Sequence, residues 1–228
     1  MAWDQSIHFG LGHQRGGGTS GFHRNGSQAS FSGIVYRGSK TGPGTVFTRG
    51  FVIREAQEVI NGRQQTTVPA VNSEEGTTRG VISTGLGVTM ASHWAAVNRD
   101  GSAGEGWVYC IVLENYAWAA EGERNMTQKG GWTMSRYQGE IMLRGPDGGL
   151  ALPGSHIYAA RPVKYEAQAD RPSFNGIIQR NVAYANGDPM ADPTLAADAH
   201  FRAFCGGTMP APPDMMAAAA AAPAGLPD

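Results

Sequence analysis

At 228 residues the chain is long enough for one domain with a sizeable core. Its 33 glycines and 13 prolines imply many turns and exclude a simple helical bundle. A formal net charge of -1 supplies no bulk attraction to nucleic acid or to an anionic membrane, though a small, locally basic site is compatible with it.

In chain order, Met1-Ala2-Trp3-Asp4 lacks the basic and apolar regions of a standard secretory signal. Residues 1–30 are rich in Gly, Ser, His, Gln and Asn, and predict a flexible leader. Its His8, His13 and His23 have no acidic or thiol partners at a fixed spacing, so no metal is expected there. A folded core is predicted over 31–205. Residues 32–37 read as a strand, followed by a glycine-rich loop at 38–44. Residues 45–51 read as a short helical turn ended by Gly50. The stretch 54–80 is polar and poorly periodic, predicting mostly loop with a short helix near 55–60. A short strand is expected at 80–84. A helix follows at 88–97, where Met90, Trp94 and Val97 recur at helical spacing.

The near-continuous apolar run 107–114 predicts a buried strand, with Cys110 as a core thiol. Pairing of Cys110 with Cys205 is the alternative, suited to an oxidising compartment. Residues 121–131 are polar loop. A strand at 135–143 puts Gln138 and Glu140 on one face, because side chains alternate. Pro146-Asp147-Gly148-Gly149 is a turn, and strands are expected at 156–163 and 175–185. Residues 206–228 form a Pro/Ala-rich tail whose alanine run, 217–222, is too short to nucleate a helix alone. The sum is an α+β domain with several short strands and few helices. No apolar run approaches the roughly 20 residues of a membrane helix.

Three places carry chemistry. Arg37 ends a strand before glycines, where a guanidinium can bind a phosphate or carboxylate in paired fashion and backbone can approach a ligand. Alone, it reads first as a solvated or ion-paired arginine. Ser83 and Thr84 end a strand before a helix, placed either to orient a carboxylate or to cap. Glu140, flanked by Ile141 and Leu143, can bond a sugar hydroxyl and stabilise an oxocarbenium-like transition state; Gln138 shares its face without adding charge. A Gly-x-Ser-x-Gly elbow, P-loop, Cys-x-x-Cys and His-Glu-x-x-His are missing from the sequence, and no dinucleotide fingerprint stands between an expected strand and an expected helix.

In combination these segments resemble the mono-ADP-ribosyltransferase toxins of the Arg-Ser-Glu type, the cholera-, pertussis- and pierisin-like group. Val35-Tyr36-Arg37 resembles the first-strand arginine motif, and Val46-Phe47-Thr48-Arg49-Gly50-Phe51 the Phe-x-x-Gly-Phe segment after it. Val81-Ile82-Ser83-Thr84 resembles the Ser-Thr-Ser strand, with Gly85 at its third position, and Tyr137-Gln138-Gly139-Glu140 resembles the Gln-x-Glu motif. Residues 154–163 resemble the closing strand, so the likeness spans about 34–165.

The resemblance implies two packed antiparallel sheets around an NAD cleft. Arg37, Gly38, Ser83 and Thr84 would bind NAD, which is a substrate, and no metal is implied. Arg37 would contact the phosphates and adjoining ribose, and the Gly38 backbone the nicotinamide amide. Ser83 would position Glu140, which would bond the 2'-hydroxyl of the nicotinamide ribose. Gln138 would orient the acceptor, with Tyr137 and Trp132 on the loop that meets it. The acceptor would be a protein side chain or nucleic-acid base of a host or competitor cell. Glutamine at 138 argues against arginine and leaves asparagine, cysteine or guanine. A monomeric effector, delivered without a standard signal and acting in the cytoplasm, is the implied setting. NAD glycohydrolysis and a non-catalytic module are the alternatives.

Overall fold

The computed structural model describes residues 21–25, 28–53, 71–72, 77–78, 81–98, 100–121 and 140–206. Among them the chain is α+β, with short helices around antiparallel strands. The first strands are β1 (Gly21–Asn25) and the long β2 (Gln28–Ser39), followed by α1 (Pro43–Arg49) and β3 (Phe51–Val52). Strands β4 (Val71–Asn72), β5 (Thr77–Thr78) and β6 (Ile82–Gly85) lead to α2 (Val88–Ala96). Next come β7 (Glu105–Tyr116), β8 (Ala119–Glu121), β9 (Glu140–Leu143) and β10 (Ala151–Leu152). The chain continues through β11 (Ile157–Glu166), β12 (Arg171–Phe174) and β13 (Gln179–Arg180) to α3 (Pro193–Ala197) and α4 (Ala199–Gly206).

The main sheet runs β12-β11-β7-β2-β6-β9-β8 and has two halves. In one half, β2 pairs with β7 over eight registered positions and β7 with β11 over seven. In the other, β6 pairs with β9 and β9 with β8. A single registered pair, Tyr36 opposite Gly85, joins the halves. Both halves bury side chains in a shared core that includes Val35, Ile82, Tyr109, Ile111, Ile141 and Leu143.

Alternation on the central strands explains their composition. Val35, Tyr109 and Ile111 face the shared core, while Tyr36, Val108 and Cys110 face a second core under α2 and α4. A strand buried on both faces has no reason to alternate apolar with polar residues, and so reads as a continuous apolar run. Cys110 is a buried free thiol, and Cys205 is also unpaired.

Four expectations differ from the structure. The sheet begins at Gly21, inside the expected leader, because Asn25 pairs with Gln28 and the β1–β2 register extends to Gly21 opposite Ser32. Asn-Gly at 25–26 is a hairpin signal that the glycine-rich composition obscured. In α2 the buried face is Val88, Ala91, Ser92, Ala95 and Ala96, while Trp94 is 52% exposed. Small residues are needed there because α2 lies against Gly38, where a Cβ would come within 2.1 Å of the Ala91 carbonyl oxygen. No strand spans 175–185: pairing is confined to β12 and β13, and the Asn181 amide diverts the chain by donating to the carbonyls of Gly154 and Ile157. Finally, α3 and α4 close the domain where no helix was expected. Asp192 caps α3 by accepting from the amides of Thr194 and Leu195, with Pro193 in the first turn.

Candidate active site

The site forms at the junction of the two half-sheets. Arg37 is two residues beyond Val35 on β2, so its side chain emerges on the shared-core side. On β6 and β9, Ser83 pairs with Met142 and Gly85 with Glu140. Ser83 and Glu140 are therefore diagonal neighbours on one face, within reach across an antiparallel pair. The Ser83 hydroxyl donates to Glu140 Oε1 at 2.5 Å, and Arg37 Nη1 donates to the Ser83 carbonyl oxygen at 2.5 Å. Three residues separated by 46 and 57 positions thus form one connected group.

The electrostatics of this group are tense. Glu140 is 8% exposed. Burial raises its pKa above the ordinary glutamate value, against the opposing pull of the Ser83 hydrogen bond and the Arg37 charge. Burial lowers the Arg37 guanidinium to about 10, partly offset by the Glu140 carboxylate, which still leaves it a cation at neutral pH. Among the described residues Arg37 Nε is buried without a hydrogen-bond partner. The guanidinium carbon lies 5.0 Å from the centroid of the Phe51 ring. Phe51 meets Tyr109 edge-on at 5.1 Å, Phe47 meets the same ring edge-on at 6.2 Å, and the Tyr109 hydroxyl donates to the Thr41 carbonyl.

Chemically, the group offers an oriented carboxylate in a partly dry setting beside a cation with an unused donor. Such a carboxylate can accept from a sugar hydroxyl and stabilise an adjacent developing cation; such a guanidinium can hold a phosphate. Among the described residues no cluster of three His, Cys, Asp or Glu could hold a metal.

The structure brings Arg37, Ser83 and Glu140 together. Gly38 adjoins Arg37 on β2 but turns its Cα toward α2. Thr84 faces the opposite side from Ser83, and its hydroxyl donates to the Ile141 carbonyl at 2.6 Å. Trp132, Tyr137 and Gln138 lie outside the described residues, as does the helix expected near 55–60. Sequence reasoning missed the stacking of Arg37 on Phe51 and the role of Tyr109. A tyrosine inside an otherwise apolar run was the available signal, since its buried hydroxyl must find an acceptor.

No family model matches the chain. No curated protein matches it either. Among solved structures it is similar to one named EcPltA, at 20% identity and a TM-score of 0.46, over 69% of this chain and 90% of that one. Full-length CARDS toxin matches at 14% identity and a TM-score of 0.44, over 68% of this chain but 30% of the toxin. The catalytic domain of the mosquitocidal toxin from Bacillus sphaericus matches at 14% identity and a TM-score of 0.41, over 75% of this chain and 68% of that one. At these levels of similarity the functional reading rests on the chain's own residues.

Proposed function

We propose that the chain is a mono-ADP-ribosyltransferase that moves ADP-ribose from NAD to a macromolecule and releases nicotinamide, in the setting of a toxin or effector. The observation that carries this reading is the hydrogen-bonded Arg37–Ser83–Glu140 group at the junction of the half-sheets. In the proposed reaction Arg37 holds the pyrophosphate, with the Gly38 backbone next to the nicotinamide amide. Thr84 fixes β6 to β9 beside the site through its bond to Ile141. Glu140, as the carboxylate, accepts from the ribose 2'-hydroxyl and stabilises the oxocarbenium-like centre as the bond to nicotinamide breaks. Ser83 orients that carboxylate. Gln138, with Tyr137 and Trp132 nearby in sequence, addresses the acceptor, which takes the position that water would otherwise occupy.

The test is nicotinamide release from NAD by the full chain, with and without cell lysate, alongside biotin-labelled NAD to trace label into protein and nucleic-acid fractions. Lysate-dependent release with label in a macromolecule is expected, and Glu140→Ala serves as the inactive control. Release in neither condition would overturn the reading. Release indifferent to lysate, with no labelled macromolecule, would replace transfer by NAD hydrolysis.

A further inference from the structure

The aromatic group under Arg37 has no place in the reaction just described, yet its geometry is specific. Phe51 follows Gly50, whose φ of 74° ends α1. A Cβ at Gly50 would come within 1.9 Å of the Leu152 carbonyl oxygen, so only glycine lets β3 pair with β10 in this register. That pairing sets Phe51 opposite Leu152 and leaves its ring beneath the Arg37 guanidinium. Tyr109 abuts the ring edge at 5.1 Å, and its hydroxyl is anchored on Thr41 in the segment joining β2 to α1. The ring is thus held by the shared core and by the loop that immediately follows Arg37.

The geometry points to Phe51 as a positioning residue that holds the Arg37 guanidinium flat, with its buried, unpartnered Nε presented to an anionic group of the substrate. This inference rests on the proposed NAD-cleaving reaction for its choice of substrate. The aromatic face attracts the cation and covers one side of it, while Nη1 is fixed on the Ser83 carbonyl. With one face covered and one nitrogen tethered, Nε is left as a preset donor. An aliphatic residue of similar bulk would fill the core but supply no quadrupole to fix the plane. A guanidinium free to rotate would bind the same phosphate with a larger loss of conformational freedom.

Two variants separate positioning from packing. Phe51→Leu keeps apolar bulk and removes the ring face; Phe51→Tyr keeps the face. In steady-state nicotinamide release, Phe51→Leu is expected to raise the KM for NAD by about threefold to tenfold with kcat within about twofold, because the lost interaction is uniform binding. Phe51→Tyr is expected to restore the original KM. A KM unchanged in Phe51→Leu, or raised equally in both variants, overturns the inference. A second readout needs no turnover. With the guanidinium carbon over the Phe51 ring, the Arg37 Hε proton is expected upfield in the proton–nitrogen spectrum, and this displacement is expected to disappear in Phe51→Leu. If the unaltered chain releases no nicotinamide, the proposed function fails, and the Arg37 resonance decides the positioning claim: an upfield proton that persists in Phe51→Leu overturns it.

Discussion

Glu140 shows how one buried carboxylate can be both a cost to the fold and the useful group. Its pKa in the folded chain lies above the unfolded value, chiefly through burial. Folding therefore favours the protonated form. The stability this contributes is present in full below the unfolded value and is lost as pH rises through the folded value. The proposed chemistry uses the ionised form, so the acid limb of kcat/KM for nicotinamide release is expected above the usual glutamate range. Ser83→Ala removes a donor that favours ionisation. It should move that limb to higher pH and lower kcat/KM at neutral pH by roughly tenfold or more, the worth of a hydrogen bond to a charged group. A pH–rate series on both proteins checks this, and a limb that stays in place or moves to lower pH refutes the role. The legibility of these residues was uneven. The short strands carrying Ser83 and Glu140 could be read from local patterning, but their partnership was implied only by the family resemblance. Their diagonal register depends on which strands pair, and nothing local to either strand fixes that.

At the scale of elements, the packing of α2 on β2 turns on glycine. A Cβ at Gly38 would stand 2.1 Å from the Ala91 carbonyl oxygen and 2.7 Å from the Ala95 nitrogen. Gly38→Ala must displace the helix, at about 1–3 kcal/mol for an overpacked contact, lowering Tm by roughly 2–12 °C in a domain of this size. Thermal melts followed by circular dichroism would measure it, and an unchanged Tm would show that the helix stands off. The same contact explains why the helix was legible but its buried face was not. Apolar periodicity weights large side chains and marks Met90, Trp94 and Val97. Close approach to a strand backbone selects Ala91 and Ala95 instead. Likewise β7 was legible from its unbroken apolar run. By contrast, β12 and β13 are short and interrupted, and owe their positions to pairing with β11.

Over the whole molecule, the second core depends on the last described helix. Phe201 and Phe204 of α4 are fully buried against the face of Tyr36, Val108 and Cys110. Arg161 ties the end of the helix down by donating to the Phe204 carbonyl at 2.6 Å, with its guanidinium over Phe174. Phe201→Ala should cost about 3–5 kcal/mol and lower Tm by roughly 6–20 °C. A loss below 2 °C in the same melts would mean that α4 contributes little to the core. Tyr36 connects this layer to the candidate site, since its ring packs near Phe204 while its backbone pairs with Gly85. That lone pair has a mechanical meaning. Arg37 stands on one side of it, Ser83 and Glu140 on the other, so the least-laddered place in the main sheet is also where the groups of the proposed reaction meet. In the proposed reaction the pair would serve as a pivot beside its own jaws, and an NAD molecule held from both sides would become a cross-brace. Backbone amides at Tyr36 and Gly85 should therefore exchange with deuterium faster than those of β7 from 108 to 111, and should slow on NAD binding. Equal protection in the free protein would remove the pivot.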